Sequence, residues 1–280
     1  MGCKRRLLAV LLTLLVLAGL MVSAGAYEPG KTVGRVPILL RTSQGDSPKN
    51  ATNQDSALGN AAAEAARIWA GTDLAILNGG DLGADLQPRE VTWEEVQGAF
   101  STDRALATVT VTVEELWQLL ESGVSHAVLD DQLKIDREAS SFGGFPQIAG
   151  FTFTYDMSAP VGQRIYSVTL DSGEALDREA DGGRELTLCA TEYMLTGGYD
   201  YPAVDGQIRL LGVTMAEAMA DALAQGKLEA VDYGGRVRVI GSGDDTLIST
   251  DPMMVILFLA VMVLATAGLR LRRKMEFRRK

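Results

Sequence analysis

Apolar residues recur along the chain with two different periods, which predict alternating helices and strands. Leu58, Ala62 and Ala65 follow helical spacing, so we expect a helix from about residue 56 to 69. Short apolar or alternating runs predict strands instead. These strands are expected at residues 35–40, 73–78, 150–155, 164–170, 185–190 and 236–240, with a turn at 171–173. The alternation is typical of a mixed α/β fold, most simply one domain.

Capping-box motifs predict the starts of three more helices. In a capping box, a Thr hydroxyl and a Glu carboxylate three residues later satisfy the backbone donors at a helix start. The pairs are Thr92 with Glu95, Thr112 with Glu115, and Thr214 with Glu217.

Both ends of the chain are strongly apolar next to basic residues. Residues 4–6 are Lys-Arg-Arg, and an apolar run from 7 to 22 leads into Ala24-Gly25-Ala26. This layout predicts a signal peptide over residues 1–26, cleaved after Ala26, with an uncleaved anchor as the alternative.

The C-terminal end predicts a membrane anchor. Residues 252–269 form an uncharged segment that is long enough to span a hydrocarbon core as a helix. Residues 270–280 hold seven Lys and Arg against one Glu, and such a tail stays on the cytoplasmic side. We therefore expect a domain over residues 27–241 outside the cell membrane, followed by a short polar stalk over 242–251.

Charge and composition exclude several functions. Residues 27–251 hold 16 Lys and Arg against 35 Asp and Glu, a net charge of about −19 that repels nucleic acid. His126 is the only histidine, too few for a two-metal phosphoesterase centre and badly placed beside Ser125 for a catalytic triad. Cys189 is solitary once Cys3 leaves with the signal, and no cofactor is expected.

One motif matches a nucleotide site only formally. Residues 25–32, GAYEPGKT, fit the phosphate-loop pattern, but that loop needs a strand before it and a helix after it. Here a signal core precedes the motif, and cleavage after Ala26 would divide it, so we do not assign an ATP site.

Four segments in order resemble the C-terminal domain of the 5′-nucleotidase family. Residues 55–60 (DSALGN) resemble its Glu-x-x-x-Gly-Asn helix start, and 75–80 (AILNGG) its strand ending in Asn-Gly-Gly. Residues 145–151 (FPQIAGF) resemble its Phe-x-Gln-Val-x-Gly strand, and 196–201 (TGGYDY) its Asn-Gly-Gly-Asp-Gly-Phe loop. The resemblance covers residues 35 to 241.

The resemblance implies a layered α+β domain with mixed sheets, to which the chain adds its predicted transmembrane helix. In that family this domain holds the nucleotide, and a separate N-terminal domain carries two metals and hydrolyses it. The implied ligand-binding residues are Asn78, Gly79, Gly80, Phe100 and Tyr201. Phe100 and Tyr201 would stack on the base and Asn78 would face it, since stacking gives ~1–3 kcal/mol per base.

The departures from the family pattern weaken the implied phosphate site. Gly83 stands where the family has a substrate-binding arginine, Gln54 stands at a second arginine position, and Asp81 adds an acid. Arginine is the residue suited to bidentate phosphate contacts. The chain is also expected to lack the metal-bearing catalytic domain.

Three functions remain open from the sequence. The first is a surface module that binds a nucleoside or nucleotide-like molecule, beside a separately made metallophosphatase. The second is a subunit of a split 5′-nucleotidase, a phosphoester hydrolase. The third is an interaction domain that kept the fold and lost the ligand.

Overall fold

Capped helices and buried strands build the described part of the chain. The computed structural model describes residues 27–28, 30–43, 50–231 and 233–242. The helices are α1 (Ala57–Ala70), α2 (Trp93–Gly98), α3 (Val113–Gly123), α4 (Glu192–Leu195) and α5 (Met215–Ala224). The strands are β1 (Thr32–Arg35), β2 (Leu74–Asn78), β3 (Glu90–Thr92), β4 (Ala105–Thr112), β5 (Pro146–Ala149), β6 (Phe151–Asp156), β7 (Ile165–Leu170), β8 (Ala175–Leu176), β9 (Glu185–Thr191), β10 (Arg209–Thr214) and β11 (Val237–Ile240).

A five-stranded mixed sheet divides the domain. Its order is β10-β4-β9-β2-β5, with β2 parallel to β9 and the other neighbours antiparallel. Alternation along β2 sends Ala75 and Leu77 into one hydrophobic core and Leu74 and Ile76 into another. The first core contains buried residues of α1, α2 and α5, and the second contains those of α3, β6 and β7. The domain therefore has three layers. The helices α1, α2 and α5 cover one face of the central sheet, and α3 with the strands β6 and β7 covers the other.

The second sheet is smaller and has four strands in the order β11-β6-β7-β8. β11 lies parallel to β6, which brings residues 237–240 of the C-terminal part next to 153–156. β1 and β3 form a separate two-stranded sheet.

The three predicted capping boxes are present at the starts of α2, α3 and α5. In α3, Glu115 N–H donates to the Thr112 hydroxyl at 3.2 Å, and Thr112 N–H donates to the Glu115 carboxylate at 2.7 Å.

The strand predictions are less complete than the helix predictions. The periodicity did not predict β3, β4, β8 or β10, and β5 was indicated only by the resemblance. The strand expected at 35–40 lies earlier, at Thr32–Arg35, and Leu40 forms only an isolated bridge to Leu86.

Several predictions fall on residues that the structure does not describe. They are the signal over 1–26, most of the stalk, the membrane span over 252–269 and the basic tail over 270–280, and all stay predictions. Within the described ranges, no helix is long and apolar enough to cross a bilayer. Thr32 of the phosphate-loop match begins a strand, not the helix that such a loop requires.

Candidate functional site: a glycine-lined cavity at the end of β2

A cavity of about 500 Å³ lies where β2 ends. β2 passes at Asn78 into a short 3-10 turn over Gly79–Asp81. Gly79 and Gly80 line this cavity, so two of the predicted ligand residues do lie at a cavity wall. The other lining residues are Thr42, Ala51, Thr52, Leu82, Gly83, Ser101 and Ser141. We call this space the Gly79–Gly80 cavity.

Glycine is required at both positions by close backbone contacts. A Cβ on Gly79 would lie 1.6 Å from the Ala51 carbonyl oxygen, and a Cβ on Gly80 would lie 2.6 Å from the Gly143 Cα. Gly79 N–H donates to the Phe145 carbonyl and Gly80 N–H to the Gly143 carbonyl. Three chain segments therefore meet at the turn, and bare backbone forms part of the cavity wall.

Gln147 holds a second wall of the cavity in place. Its side chain is fully buried and accepts from Ser56 N–H at 2.8 Å and from the Ser56 hydroxyl at 3.0 Å. Its amide group donates to the carbonyls of Ala51 and Gln54. The motif glutamine therefore fastens the segment from 51 to 56 to β5.

Asn60 has the same role at the start of α1. Its amide nitrogen donates to the Asp55 carboxylate at 2.7 Å and the Tyr233 carbonyl at 2.6 Å. Its amide oxygen accepts from Ile148 N–H at 2.8 Å. Gln147 and Asn60, which lie in two of the motifs that carry the resemblance, thus hold the segments around the cavity in place by hydrogen bonds.

Asn78 is the most unusual residue near the cavity. Its side chain is completely buried, and neither Oδ1 nor Nδ2 has a hydrogen-bond partner among the described residues. Buried amides are nearly always paired, because an unmade hydrogen bond costs about 1–3 kcal/mol. Such an orphaned group in a native fold indicates a functional constraint or a missing ligand or water.

The two predicted stacking rings are not brought together. Phe100 is 6% exposed and belongs to the core on the α1 side, and Tyr201 is 3% exposed and belongs to the core on the α3 side. The Tyr201 hydroxyl donates to the Gly144 carbonyl at 2.7 Å. Neither ring lines the Gly79–Gly80 cavity in this conformation, which differs from the arrangement that the resemblance implies. Their contact with a base stays a prediction.

A different group of aromatic side chains lies beside Gly80. The Tyr199 ring packs edge-on against Phe142, with centroids 6.2 Å apart, and against Tyr193 at 5.3 Å. A Cβ on Gly80 would lie 3.1 Å from the Tyr199 hydroxyl. His126 stacks on Phe142 at 4.1 Å, so the lone histidine packs against a ring. Tyr199 lies inside the segment 196–201 that resembles the family loop, but it was not among the predicted ligand-binding residues.

The loop that carries Tyr199 has a strained backbone. Tyr199 has φ 52° and Asp200 has φ 58°, in the left-handed region that favours glycine. Non-glycine residues in this region cost about 1–3 kcal/mol each and cluster at functional sites. Asp200 stands where the resembled family loop has glycine. This replacement was the only sign in the sequence that the loop would have an unusual backbone.

Asp81, the acid added at the implied phosphate site, forms a buried ion pair with Arg104. Its carboxylate is fully buried and accepts from Arg104 Nε at 2.8 Å and from the Tyr199 hydroxyl at 3.2 Å. The Arg104 guanidinium lies 3.8 Å from the Tyr193 ring centroid, a cation–π contact. Burial raises the pKa of Asp81, and the hydrogen bond from Arg104 opposes that rise.

The positions of the missing arginines differ in how much room they leave. A Cβ on Gly83 would lie 2.6 Å from the Gly98 carbonyl oxygen, so the fold here has no space for a side chain. Gln54 accepts a hydrogen bond from Arg137 Nη1 at 2.6 Å. In the part of the chain that the structure describes, no Lys or Arg lines the Gly79–Gly80 cavity.

The described residues contain no group of three or more His, Cys, Asp or Glu side chains that could hold a metal ion. Cys189 is buried, and burial raises the pKa of its thiol to about 12. The backbone N–H groups of Gly79, Gly80 and Gly83 already donate within the fold, so the cavity lining can offer a ligand mainly hydroxyls and carbonyl oxygens, with packed rings nearby.

Comparison with known proteins supports this fold assignment. The model of the family "5′-nucleotidase, C-terminal domain" matches residues 32–206. A 5′-nucleotidase precursor from Thermus thermophilus superposes with a TM-score of 0.60 at 21% identity, covering 85% of this chain and 43% of that one. The NAD nucleotidase NadN of Haemophilus influenzae gives 0.61 at 19% identity, covering 75% and 38%.

One protein of similar sequence is named as a nucleotide phosphoesterase. The trifunctional nucleotide phosphoesterase protein YfkN of Bacillus subtilis (strain 168) is 26% identical over 135 residues, covering 48% of this chain and 8% of that protein. The chain thus spans less than half the length of these relatives, and at these identities the solved structures establish the fold alone.

Proposed function

This chain belongs to the 5′-nucleotidase C-terminal domain family, and on that premise we propose that it binds a nucleoside or nucleotide-like molecule. In this proposal the domain faces outward, is anchored by residues 252–269, serves nucleotide catabolism and does not catalyse hydrolysis alone. A metallophosphatase on a separate chain would supply the metal centre.

The Gly79–Gly80 cavity is the observation that carries the proposal. About 500 Å³ lies within the range of small-molecule sites, which is about 300–1,000 Å³. The hydroxyls of Thr52 and Ser141 lie 2.9 Å apart at its wall, and Ser101 donates to the Gly80 carbonyl. The hydroxyl groups and carbonyl oxygens at this wall can form hydrogen bonds with the polar edges of a base and with the hydroxyls of a ribose.

Charge argues for the nucleoside part of the ligand over its phosphate. None of the described residues lining the cavity is cationic, and the outer domain carries a net charge of about −19. A phosphate would therefore gain no charge-assisted hydrogen bond from them. We expect AMP to bind no more tightly than adenosine.

Calorimetric titration of the full chain with adenosine and AMP tests the proposal. Ser141 is exposed at the cavity wall, so Ser141→Trp should fill the cavity without disturbing either core and weaken adenosine binding at least about tenfold. Ser172→Trp, in the exposed turn at 171–173, is the matched control and should bind like the parent. Absence of heat from both ligands would favour the interaction-domain alternative.

The split-enzyme alternative has its own test. It is favoured by the family and by relatives named as nucleotidases and a nucleotide phosphoesterase. Phosphate release from AMP would be measured with the purified chain and a divalent metal. We expect no release from the chain alone, and turnover here would show that it supplies catalytic groups itself.

Membrane anchoring rests on the uncharged segment 252–269 and the basic tail after it. The full chain should stay in the membrane pellet after alkaline carbonate extraction, and a chain ending at residue 251 should not. Release of both forms into the supernatant would end this part of the proposal.

A further inference from the structure

A second, smaller cavity is lined by residues 53–55 of the segment from 51 to 56. Its volume is about 110 Å³, room for about three to four water molecules at roughly 30 Å³ each. Its polar lining comes from Asn53, Gln54, Asp55, Arg137 and Tyr155, and the remaining lining is mostly apolar. We call it the Arg137 cavity.

Two hydrogen bonds fasten Arg137 to this wall. Asn53 Nδ2 donates to the Arg137 carbonyl at 2.6 Å, and Arg137 Nη1 donates to Gln54 Oε1 at 2.6 Å. No carboxylate among the described residues lies within ion-pair distance of the Arg137 guanidinium. The guanidinium is therefore held in position by an uncharged partner and retains its charge for an anion.

Asn53 supplies an independent sign of a ligand. The residue is 6% exposed, and its Oδ1 is buried without a hydrogen-bond partner among the described residues. A buried amide oxygen that is left unpaired is costly, so a donor that reached Asn53 Oδ1 from the cavity would remove that cost.

Asp55 adds the opposite charge to that of Arg137. It is 2% exposed, and it accepts from Asn60 Nδ2 and from Arg236 N–H, each at 2.7 Å. Burial raises the pKa of Asp55, while these hydrogen bonds oppose the rise. A cationic donor in the cavity would also lower the pKa of Asp55, as these hydrogen bonds do.

We propose that the Arg137 cavity binds a small zwitterion, an α-amino acid of about the size of alanine. Its carboxylate pairs with Arg137, and its ammonium lies on the side of Asn53 and Asp55. A molecule of about six non-hydrogen atoms matches the volume, and one group of each sign matches the lining. This site is separate from the Gly79–Gly80 cavity and does not depend on nucleoside binding there.

The test titrates the full chain with three molecules of nearly equal size by calorimetry. L-alanine should bind saturably. L-lactate, which lacks the ammonium, and L-alaninamide, in which a neutral amide replaces the carboxylate, should each bind at least about tenfold more weakly, as expected for loss of a charge-assisted hydrogen bond. Lack of saturable alanine binding, or lactate binding as tightly as alanine, would overturn the proposal.

Arg137→Gln is the decisive variant, because Arg137 is exposed and its loss should leave the fold intact. It should weaken alanine binding at least about tenfold and leave adenosine binding unchanged. Arg178→Gln, which removes an exposed guanidinium paired with Glu114, is the matched control and should bind alanine like the parent. Equal alanine affinity in Arg137→Gln and the parent would refute the role of Arg137, whatever the outcome of the nucleoside titrations.

Discussion

Replacing Arg104 with Gln should lower the free energy of unfolding by about 3 kcal/mol, because it leaves a buried carboxylate without its cation. Asp81 is fully buried, and the Arg104 side chain is 21% exposed. We place the loss at the lower end of the usual range because the Tyr199 hydroxyl still donates to Asp81. Chemical denaturation of the full chain at neutral pH would measure it.

The loss should depend on pH in a defined direction. The pKa of Asp81 is raised above its ordinary value of 3.8 in the fold, and without Arg104 it should rise further. A carboxyl with a raised folded-state pKa binds its proton more tightly in the folded protein. Its favourable contribution is therefore complete below about pH 4 and is lost as pH rises through the folded pKa. The deficit of Arg104→Gln should be largest near neutrality and shrink in acid.

Two further variants identify the cause of that loss. Asp81→Asn combined with Arg104→Gln removes both charges, so most of the stability should return. Arg178→Gln breaks an ion pair in which both side chains are 41% exposed, and it should cost much less. If the double variant is as unstable as Arg104→Gln alone, the unpaired carboxylate is not the reason.

Replacing Asn78 with Leu should raise the free energy of unfolding of the unliganded protein by about 1–3 kcal/mol. Leu has the same branching as Asn, and it removes two buried polar atoms that have no partner among the described residues. If Asn78 faces a ligand, the same variant should weaken adenosine binding. A gain in stability with a loss of binding is the usual pattern for a residue kept for function at a cost in stability.

Asn60→Leu is the matched control for Asn78→Leu. Asn60 is equally buried, but its amide makes three hydrogen bonds, so the same substitution should destabilise the fold strongly. Thermal unfolding of both variants by circular dichroism would compare them. A destabilised Asn78→Leu would mean that the Asn78 amide is satisfied in solution.

Much of the fold could be predicted because its signals are local. The three capping boxes occur within four residues each, and they begin helices as expected. The strand before Gly79 and Gly80 is apolar at all but its last position, so its burial was visible in the sequence. β10 was missed because it is an edge strand with one buried residue, and Gly212 at positive φ interrupts its alternation and register.

The candidate site was predictable only in part. The resemblance implied that Gly79 and Gly80 bind a ligand, and both lie at a cavity wall. It also implied a pair of rings, yet Phe100 and Tyr201 lie in different cores. A short motif specifies a residue type, but the direction of an aromatic side chain depends on how distant segments pack around it.

By itself the sequence determined the family, the mixed α/β class, the helix starts and the scarcity of histidine, because these depend on residue order and composition. Only the tertiary structure decided that Asp81 pairs with Arg104, that Gly83 has no room for a side chain, and that Asn53 and Asn78 keep unpaired amide atoms within the described residues. Each of these depends on contacts between segments far apart in the chain, such as 81 with 104 or 53 with 137. The choice of hydrogen-bond and ion-pair partners arises from that packing, and no local pattern encodes it.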